Sequence, residues 1–288
     1  MLKHRLLFGS LLAAFFAGLV ILDGWLDGSL TVSPADDSPI QATILAILLA
    51  AILSEGGLEL VRLAAAKGLI VLNPICGIGL ALLSTAWYWP QVFDVSLGLY
   101  VLLVAALTLA GILLQQHVRF GATGALANAG ISCFSLLYLG VLGAFVLGIR
   151  IDGGEAGLWH VLLFIIAVKS SDIGAYMFGR LFGRHKLSPR VSPGKTWEGL
   201  GGGVIAAAAV SFAFAAVSGI IEERAAVLFG LCMAVIGQLS DLAESMLKRD
   251  AQQKDSSNRV PGFGGILDVI DSPLFAAPFA YVLLRLVA

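Results

Sequence analysis

Two segments in the second half of the chain place carboxylates at helical spacing. The first is a polar stripe at positions i, i+3, i+4 and i+7, formed by Asp241, Glu244, Ser245 and Lys248. The second consists of Asp268, Asp271 and Ser272, which share one face of a helix. Mg²⁺ commonly takes one or two such carboxylates together with substrate phosphates. Two facing stripes would form the carboxylate clamp of metal-assisted phosphoryl chemistry, although a salt-bridge network with Lys248, Arg249 and Lys254 would use the same residues structurally.

Two other segments of this half are also polar. The first contains Lys169, Asp172 and Tyr176. These side chains share a face at the end of a predicted helix, where they could line a pathway or neutralise one another. The second is the basic loop 178–198, which contains Ser192, Lys195 and Thr196 and suits phosphate oxygens as well as anionic lipid. Its Gly-Lys-Thr is not interpreted as a P-loop, because Pro189 stands where that motif has its first glycine and no strand is predicted before it.

The elements that must position these residues lie in a membrane. Of the 288 residues, 58% are hydrophobic and only 13% are charged, and the mean hydropathy is +0.93. Soluble domains carry about 25% charged residues, so this chain lacks the charge for a surface that faces water. The fold class predicted is all-α, a polytopic transmembrane helical bundle of eight or nine spans. The predicted spans are 6–22, 39–53, 69–89, 96–114, 123–148, 158–177, 199–220, 225–247 and 273–287.

Charge alternates between successive loops, and this alternation predicts the orientation. Basic residues dominate one set of loops, which includes 178–198 and the segment after 248, whereas acidic residues dominate the other set. By the positive-inside rule the basic loops and the N-terminus are cytoplasmic. The N-terminal apolar run is expected to be a retained first span, because no cleavage pattern follows it. A bacterial inner membrane is the expected location.

Polarity also predicts two functional regions. Residues 1–157 are nearly featureless apolar spans, which we interpret as a lipid-facing scaffold. Residues 158–288 are interpreted as a catalytic transmembrane domain with cytoplasmic loops 178–198 and 248–272. A membrane protein that concentrates its costly polar residues in two patches is expected to use them together.

The polar segments resemble the phosphatidate cytidylyltransferase (CDP-diacylglycerol synthase) family over about residues 165–275. The family's signature reads here as Ser245-Met-Leu-Lys248-Arg249, Lys254-Asp255, Pro261-Gly262-Phe263-Gly264-Gly265 and Asp268-Val269-Ile270-Asp271-Ser272. The upstream segments that begin at Ser171 and Ser192 resemble the family in the same order. Two positions depart from its pattern: Phe263 replaces a histidine, and Val269 replaces an arginine.

This resemblance implies that the lipid phosphate of phosphatidate attacks the α-phosphorus of CTP and forms CDP-diacylglycerol and pyrophosphate. It also implies that Asp241 and Asp268 ligate Mg²⁺, with a second cation left open. Lys248 and Asp271 would share the catalytic centre with these two ligands. The expected substrate-binding residues are Asp172, Tyr176, Ser192, Lys195, Thr196, Glu244, Ser245, Arg249, Lys254, Asp255, Gly264, Gly265 and Ser272.

Other functions remain open on the sequence. A different CTP-dependent lipid-phosphate cytidylyltransferase or a polyprenol kinase would use similar groups. An ion-coupled transporter could use Lys169, Asp172 and Asp241 as a relay, but transporters usually place such groups near mid-membrane in two repeats. No nucleic acid is expected as a partner. A second copy of the chain is a candidate partner, and nothing in the sequence identifies a cytosine-reading residue.

Overall fold

The computed structural model describes residues 2–30, 38–257, 259–260 and 264–287, with side chains from residue 14 onward. The chain is mostly helical. Its α-helices are α1 (Leu2–Leu26), α2 (Thr43–Ala66), α3 (Ile75–Ser84), α4 (Trp89–Phe93), α5 (Leu97–Phe120), α6 (Ala125–Ser135), α7 (Leu142–Asp152), α8 (Gly157–Phe182), α9 (Trp197–Ser218), α10 (Glu223–Asp250) and α11 (Leu267–Val287). A π-helix, Leu136–Val141, joins α6 to α7, and a short 3-10 helix, Gly154–Ala156, precedes α8.

Within these described ranges, seven helical segments are long and apolar enough to cross a membrane. They are Thr43–Ala66, Leu97–Phe120, Ala125–Asp152, Gly154–Phe182, Trp197–Ser218, Glu223–Asp250 and Leu267–Val287. Two shorter apolar helices, Ala14–Leu26 and Ile75–Ser84, accompany them. The predicted polytopic helical bundle is confirmed, and the number of long helices is near the eight or nine spans predicted.

One feature of the fold was not predicted. The loop 178–198 contains a two-stranded antiparallel hairpin, β1 (Lys186–Ser188) and β2 (Ser192–Thr196), with Lys186 paired to Thr196. The base of the hairpin is closed by a backbone hydrogen bond from Trp197 to His185 O. These contacts involve residues about ten positions apart, so they leave no periodic signal in so short a segment.

The first compact unit comprises Met1–Ile151 together with Ala251–Val269. Its helices α2, α3, α5 and α6 pack on one another and on the π-helix. A buried ion pair joins Arg150 Nη2 to Asp27 Oδ2 at 2.7 Å. Segment 251–269, which was predicted to belong to the C-terminal domain, therefore packs with the N-terminal helices.

The second compact unit comprises Asp152–Asp250 together with Ile270–Ala288. Helices α8, α9 and α10 pack closely because glycines stand at their crossings. A Cβ at Gly174 of α8 would lie 2.5 Å from the Cβ of Ala206, and a Cβ at Gly230 of α10 would lie 2.6 Å from Ala207 O. The functional division at residues 157 and 158 stays a prediction.

Candidate functional site

In the second unit, Asp241 of α10 is held from two sides. Lys195 Nζ of β2 donates to Asp241 Oδ2 at 2.7 Å and to Gln238 O at 3.2 Å. Ser272 Oγ of α11 donates to Asp241 Oδ1. The hairpin and helix α11 thus supply the partners of one carboxylate, and a lysine compensates its charge.

Near the start of α11, Asp271 and Ser272 form hydrogen bonds with residues of α10. Ser240 Oγ donates to Asp271 O at 2.6 Å, and the backbone N–H of Ser272 donates to Asp271 Oδ1 at 2.7 Å. Asp271 is 5% exposed and Ser272 is 1% exposed, so both are shielded from solvent. The charges of Asp241, Glu244 and Asp172 all act on Asp271, which identifies a cluster of carboxylates in this unit.

The rest of the α10 stripe is partly paired within the helix. Glu244 Oε2 lies 2.5 Å from Lys248 Nζ, and both side chains are largely buried. Ser245 lies half-buried on the same helix. Arg249 is exposed, and its Nε donates to Val191 O at 3.4 Å. Within this stripe, Glu244 and Lys248 therefore form an ion pair, as the structural alternative for these residues predicted.

Asp172 of α8 joins the carboxylates of this unit. Lys169 Nζ lies 3.5 Å from Asp172 Oδ2, and the charges of Asp241 and Lys195 act on Asp172. Asp172 Oδ1 is shielded from solvent and accepts no hydrogen bond within the described part of the chain. Such an unsatisfied carboxylate oxygen is costly inside a protein, and a cation or a ligand N–H or O–H group would satisfy it.

Three other residues of this region that were predicted to bind substrate, Tyr176, Thr196 and Ser192, have contacts that can be explained by the fold alone. Tyr176 is 45% exposed, and its hydroxyl oxygen accepts from Arg180 Nη1 at 3.3 Å. Thr196 is the N-cap of α9, where its Oγ1 accepts from the Gly199 N–H at 3.1 Å. Ser192 lies half-buried in β2, opposite Ser188. Capping accounts for a threonine at position 196 without any substrate.

The remaining motif residues lie in the first unit. Asp268, in the first turn of α11, accepts at Oδ2 from the Ser256 N–H at 2.9 Å, from Ser256 Oγ at 2.8 Å and from the Gly265 N–H at 2.7 Å. Gly264 has φ +106°, a conformation that side-chain-bearing residues rarely adopt. Lys254 and Asp255 are exposed. Pro261, Gly262 and Phe263 lie outside the described residues.

Two acidic residues that hold this segment were not predicted from the sequence. Glu59 of α2 is 0% exposed. Its carboxylate accepts hydrogen bonds from the hydroxyls of Ser256 and Ser257 and from the N–H groups of Ile266 and Leu267. Glu55, one turn earlier, is ion-paired with Arg259. The available signal was two acids four positions apart in a mostly apolar helix whose only other charged residue is Arg62.

The donor set fits a hard cation better than a soft one. Within the described residues, no group of three or more His, Cys, Asp or Glu side chains is arranged to hold a metal by itself. Mg²⁺ does not require such a group, since it usually takes one or two carboxylates and completes its shell with water and substrate phosphates. The unsatisfied Oδ1 of Asp172 beside Asp241 is consistent with an oxygen-ligated cation.

These features define a multi-pass membrane protein with a polar, carboxylate-rich site. A family model described as the Cytidylyltransferase family matches residues 38–287, so the chain belongs to this family. The chain is 38% identical to a phosphatidate cytidylyltransferase of Bacillus subtilis over 176 residues, which cover 61% of this chain and 65% of that protein. It is 44% identical to the enzyme of that name from Haemophilus influenzae over 128 residues, 43% of this chain and 44% of that protein.

A third relative is matched over almost its full length. The chain is 31% identical to a phosphatidate cytidylyltransferase of Staphylococcus haemolyticus over 260 residues, which cover 85% of this chain and 97% of that protein. The similarity therefore includes much of the N-terminal half, where the sequence motifs gave no resemblance beyond apolar spans.

Proposed function

We propose that this chain is a CTP:phosphatidate cytidylyltransferase that forms CDP-diacylglycerol and pyrophosphate. The family match and the names of the relatives support the reaction class. The observation that carries the proposal is the environment of Asp241, which accepts from Lys195 and Ser272, two residues of the segments that resemble that family. A lysine and a carboxylate on adjoining elements are the groups that bind phosphate and a divalent cation.

The reaction needs positioning and charge neutralisation more than proton transfer. The phosphate monoester of the lipid is already an anion near neutral pH, so its oxygen can attack the α-phosphorus of CTP without a general base. The bond between the α-phosphorus and the oxygen that bridges it to the β-phosphate then breaks, and pyrophosphate leaves with the electron pair of that bond. Catalysis therefore depends on holding the attacking and leaving oxygens in line.

Asp241 and Asp268 are the residues that we propose as Mg²⁺ ligands. Bound Mg²⁺ would supply neutralisation of the phosphate charges and orientation of their oxygens. Asp271, Asp172 and Glu244 would set the local negative charge around Asp241. The three donors to Asp268 Oδ2 fix the orientation of that carboxylate within its own unit.

The basic residues have separate proposed roles. Lys195 compensates Asp241 and is proposed to transfer its hydrogen bond to a phosphate oxygen when substrate arrives. Lys248, Arg249 and Lys254 are proposed to bind the triphosphate or the lipid phosphate. Arg249 and Lys254 are exposed, which suits contact with a soluble nucleotide.

The orientation and assembly are part of the same proposal. We propose that the N-terminus and the loops 178–198 and 248–272 are cytoplasmic, in the inner membrane of a bacterium, because these loops carry the basic residues. In a chain whose three native cysteines are replaced by alanine, a single cysteine at exposed Arg190 or Asp94 tests this orientation. The first should be labelled only from the cytoplasmic side and the second only from the opposite side. A homodimer remains a candidate assembly, which the mass of the purified particle tests.

The decisive experiment is a turnover assay on the purified full chain. Radiolabelled CTP and phosphatidate with Mg²⁺ should give CDP-diacylglycerol, and removal of divalent cations should abolish the product. Parallel reactions with dCTP, ATP and other lipid phosphates identify the substrate class. A preparation that forms no nucleotide–lipid product but moves ions across a vesicle membrane would instead support the transporter.

A further inference from the structure

Glu59 is a buried acid in a membrane-spanning helix, far in sequence from every motif described above. Its Oε1 accepts from Ser257 Oγ at 2.6 Å and from the Ile266 N–H at 3.0 Å. Its Oε2 accepts from Ser256 Oγ at 2.7 Å and from the Leu267 N–H at 2.9 Å. A buried ionisable group in a membrane protein is expensive and usually has a function. Glu59 thus binds both ends of the segment 256–267, Ser256 and Ser257 at the first end and Ile266 and Leu267 at the second.

A single hydroxyl, that of Ser256, connects Glu59 to Asp268. Ser256 Oγ lies 2.7 Å from Glu59 Oε2 and 2.8 Å from Asp268 Oδ2. Because a serine hydroxyl has only one hydrogen, the two carboxylates share one donor. The Ser256 N–H also donates to Asp268 Oδ2, so the position of Ser256 sets the orientation of Asp268.

The glycines of the segment permit this arrangement. A Cβ at Gly265 would lie 1.9 Å from Ser256 Oγ and 2.2 Å from Glu59 Oε2. A Cβ at Gly264 would lie 2.6 Å from Asp268 Oδ2. Backbone and carboxylates therefore approach more closely than any side chain would allow, which ties both glycines to Glu59 and Asp268.

We propose that Glu59 is a positioning residue, which orients Asp268 for cation binding through Ser256 and the backbone of residues 265–267. This inference rests on the proposed role of Asp268 as a metal ligand. It assigns a functional residue to the N-terminal helices, which were predicted from the sequence only as a scaffold. Partners that orient metal ligands typically contribute about 10–100-fold to metal affinity.

Glu55 provides a matched control on the same helix. It lies one turn before Glu59 and pairs with Arg259 of the same segment. It is therefore expected to hold the loop without acting on Ser256 or Asp268. Replacing each glutamate by glutamine keeps its size and removes its charge, so the two variants separate orientation of Asp268 from attachment of the loop.

The test measures binding of Mn²⁺ alone to the purified full chain, by electron paramagnetic resonance of the free ion. We expect Glu59→Gln to raise the Kd for Mn²⁺ about 10–100-fold and Glu55→Gln to leave it within about twofold. Hydrogen exchange of the 265–267 amides should accelerate in Glu59→Gln, because the acceptors of the Ile266 and Leu267 N–H groups are altered. Ser256→Ala should weaken Mn²⁺ binding similarly, and the double variant should show less than the sum of the two effects.

The two proposals fail in different ways. If Asp268→Asn weakens Mn²⁺ binding but Glu59→Gln and Ser256→Ala do not, the positioning role of Glu59 is overturned and the metal assignment stands. If Asp268→Asn binds Mn²⁺ like the parent chain, the metal assignment fails, and the role of Glu59 fails with it. Should Glu59→Gln not insert or fold, Ser256→Ala decides the matter alone, since it removes only the shared hydroxyl.

Discussion

Asp241 and Asp268 carry the same functional group, but partners of different charge hold them. Asp241 accepts from the ammonium group of Lys195 and the hydroxyl of Ser272. The donors to Asp268 Oδ2 are the hydroxyl and backbone N–H of Ser256 and the N–H of Gly265. The lysine balances the charge of its carboxylate, whereas hydroxyl and amide donors orient a carboxylate and leave its charge in place.

This difference suggests different contributions to the proposed reaction. A lysine on a flexible stem can exchange its carboxylate partner for a phosphate oxygen, so the surroundings of Asp241 suit a group that rearranges when substrate binds. Backbone donors cannot move independently of the loop, so the surroundings of Asp268 suit a preorganised ligand. The comparison predicts that substitutions around Asp268 act on geometry and those around Asp241 act on charge.

The largest effect is expected from removing either carboxylate charge. Asp241→Asn and Asp268→Asn should each lower turnover more than about 100-fold, because both are proposed as direct Mg²⁺ ligands, and loss of a ligand exceeds the 10–100-fold typical of its supporting partners. Both variants should still insert and elute as the parent protein does. Turnover with radiolabelled CTP and Mg²⁺ is the measurement, and near-parental activity in either variant would remove that residue from the metal site.

A smaller but still large effect is expected at Gly265. A Cβ there would meet Ser256 Oγ and Glu59 Oε2, and such overpacking costs about 1–3 kcal/mol. We expect Gly265→Ala to lower turnover about tenfold, because the added Cβ must displace Ser256 and Glu59, and partners that orient a metal ligand typically contribute about 10–100-fold. The effect should come with faster hydrogen exchange in segment 251–268.

Gly201→Ala is the matched control for that substitution. Gly201 lies in α9, and a Cβ there has no atom within 4 Å. Alanine in a helix interior is more favourable than glycine by about 1 kcal/mol, so this variant should keep its activity and become slightly more stable. Equal losses of activity in the two variants would show that the crowding at Gly265 is not the cause.

The charge at Lys195 gives the next prediction. Lys195→Met should lower kcat/KM for CTP at least about tenfold, because a hydrogen bond to a charged group contributes about 1.5–3 kcal/mol. Lys195→Arg should restore part of the loss, since it keeps the positive charge but changes the geometry. If methionine and arginine at this position behave alike in steady-state kinetics, the charge of Lys195 has no part in substrate binding.

The helices that carry the site could be predicted, because apolar periodicity and charge spacing determine them locally. The stripe from Asp241 to Lys248 does lie on one long helix, α10, and Asp271 and Ser272 lie on α11. The acidic residue Glu59 could be seen in α2, but its partners Ser256 and Leu267 are 197 and 208 positions away. No local pattern encodes a contact of that separation.

The hairpin shows a second reason why part of the site could not be predicted from the sequence. Its residues include Lys195 and Thr196, whose types suggested phosphate binding. The structure gives Thr196 a capping role and pairs Lys195 with Asp241. Glu198 closes the hairpin by accepting from the Arg184 and His185 N–H groups. Residue type alone could not separate these roles, because hydroxyls and amines serve caps, ion pairs and substrates equally well.

The smallest predicted effect concerns Phe263, where the family resemblance has a histidine. Phe263→His would add a group with a pKa of about 6.5 beside the glycines of the motif. Below that pH the imidazole is a cation and can attract phosphate, and the attraction is lost as the pH rises above it. An ion pair of one imidazolium with a phosphate contributes up to about 1 kcal/mol, so KM for phosphatidate should fall at most about fivefold at pH 6 and change little at pH 8. Phe263→Leu, which keeps the position apolar, should change neither value, and an unchanged pH profile in Phe263→His would exclude a catalytic part for this position.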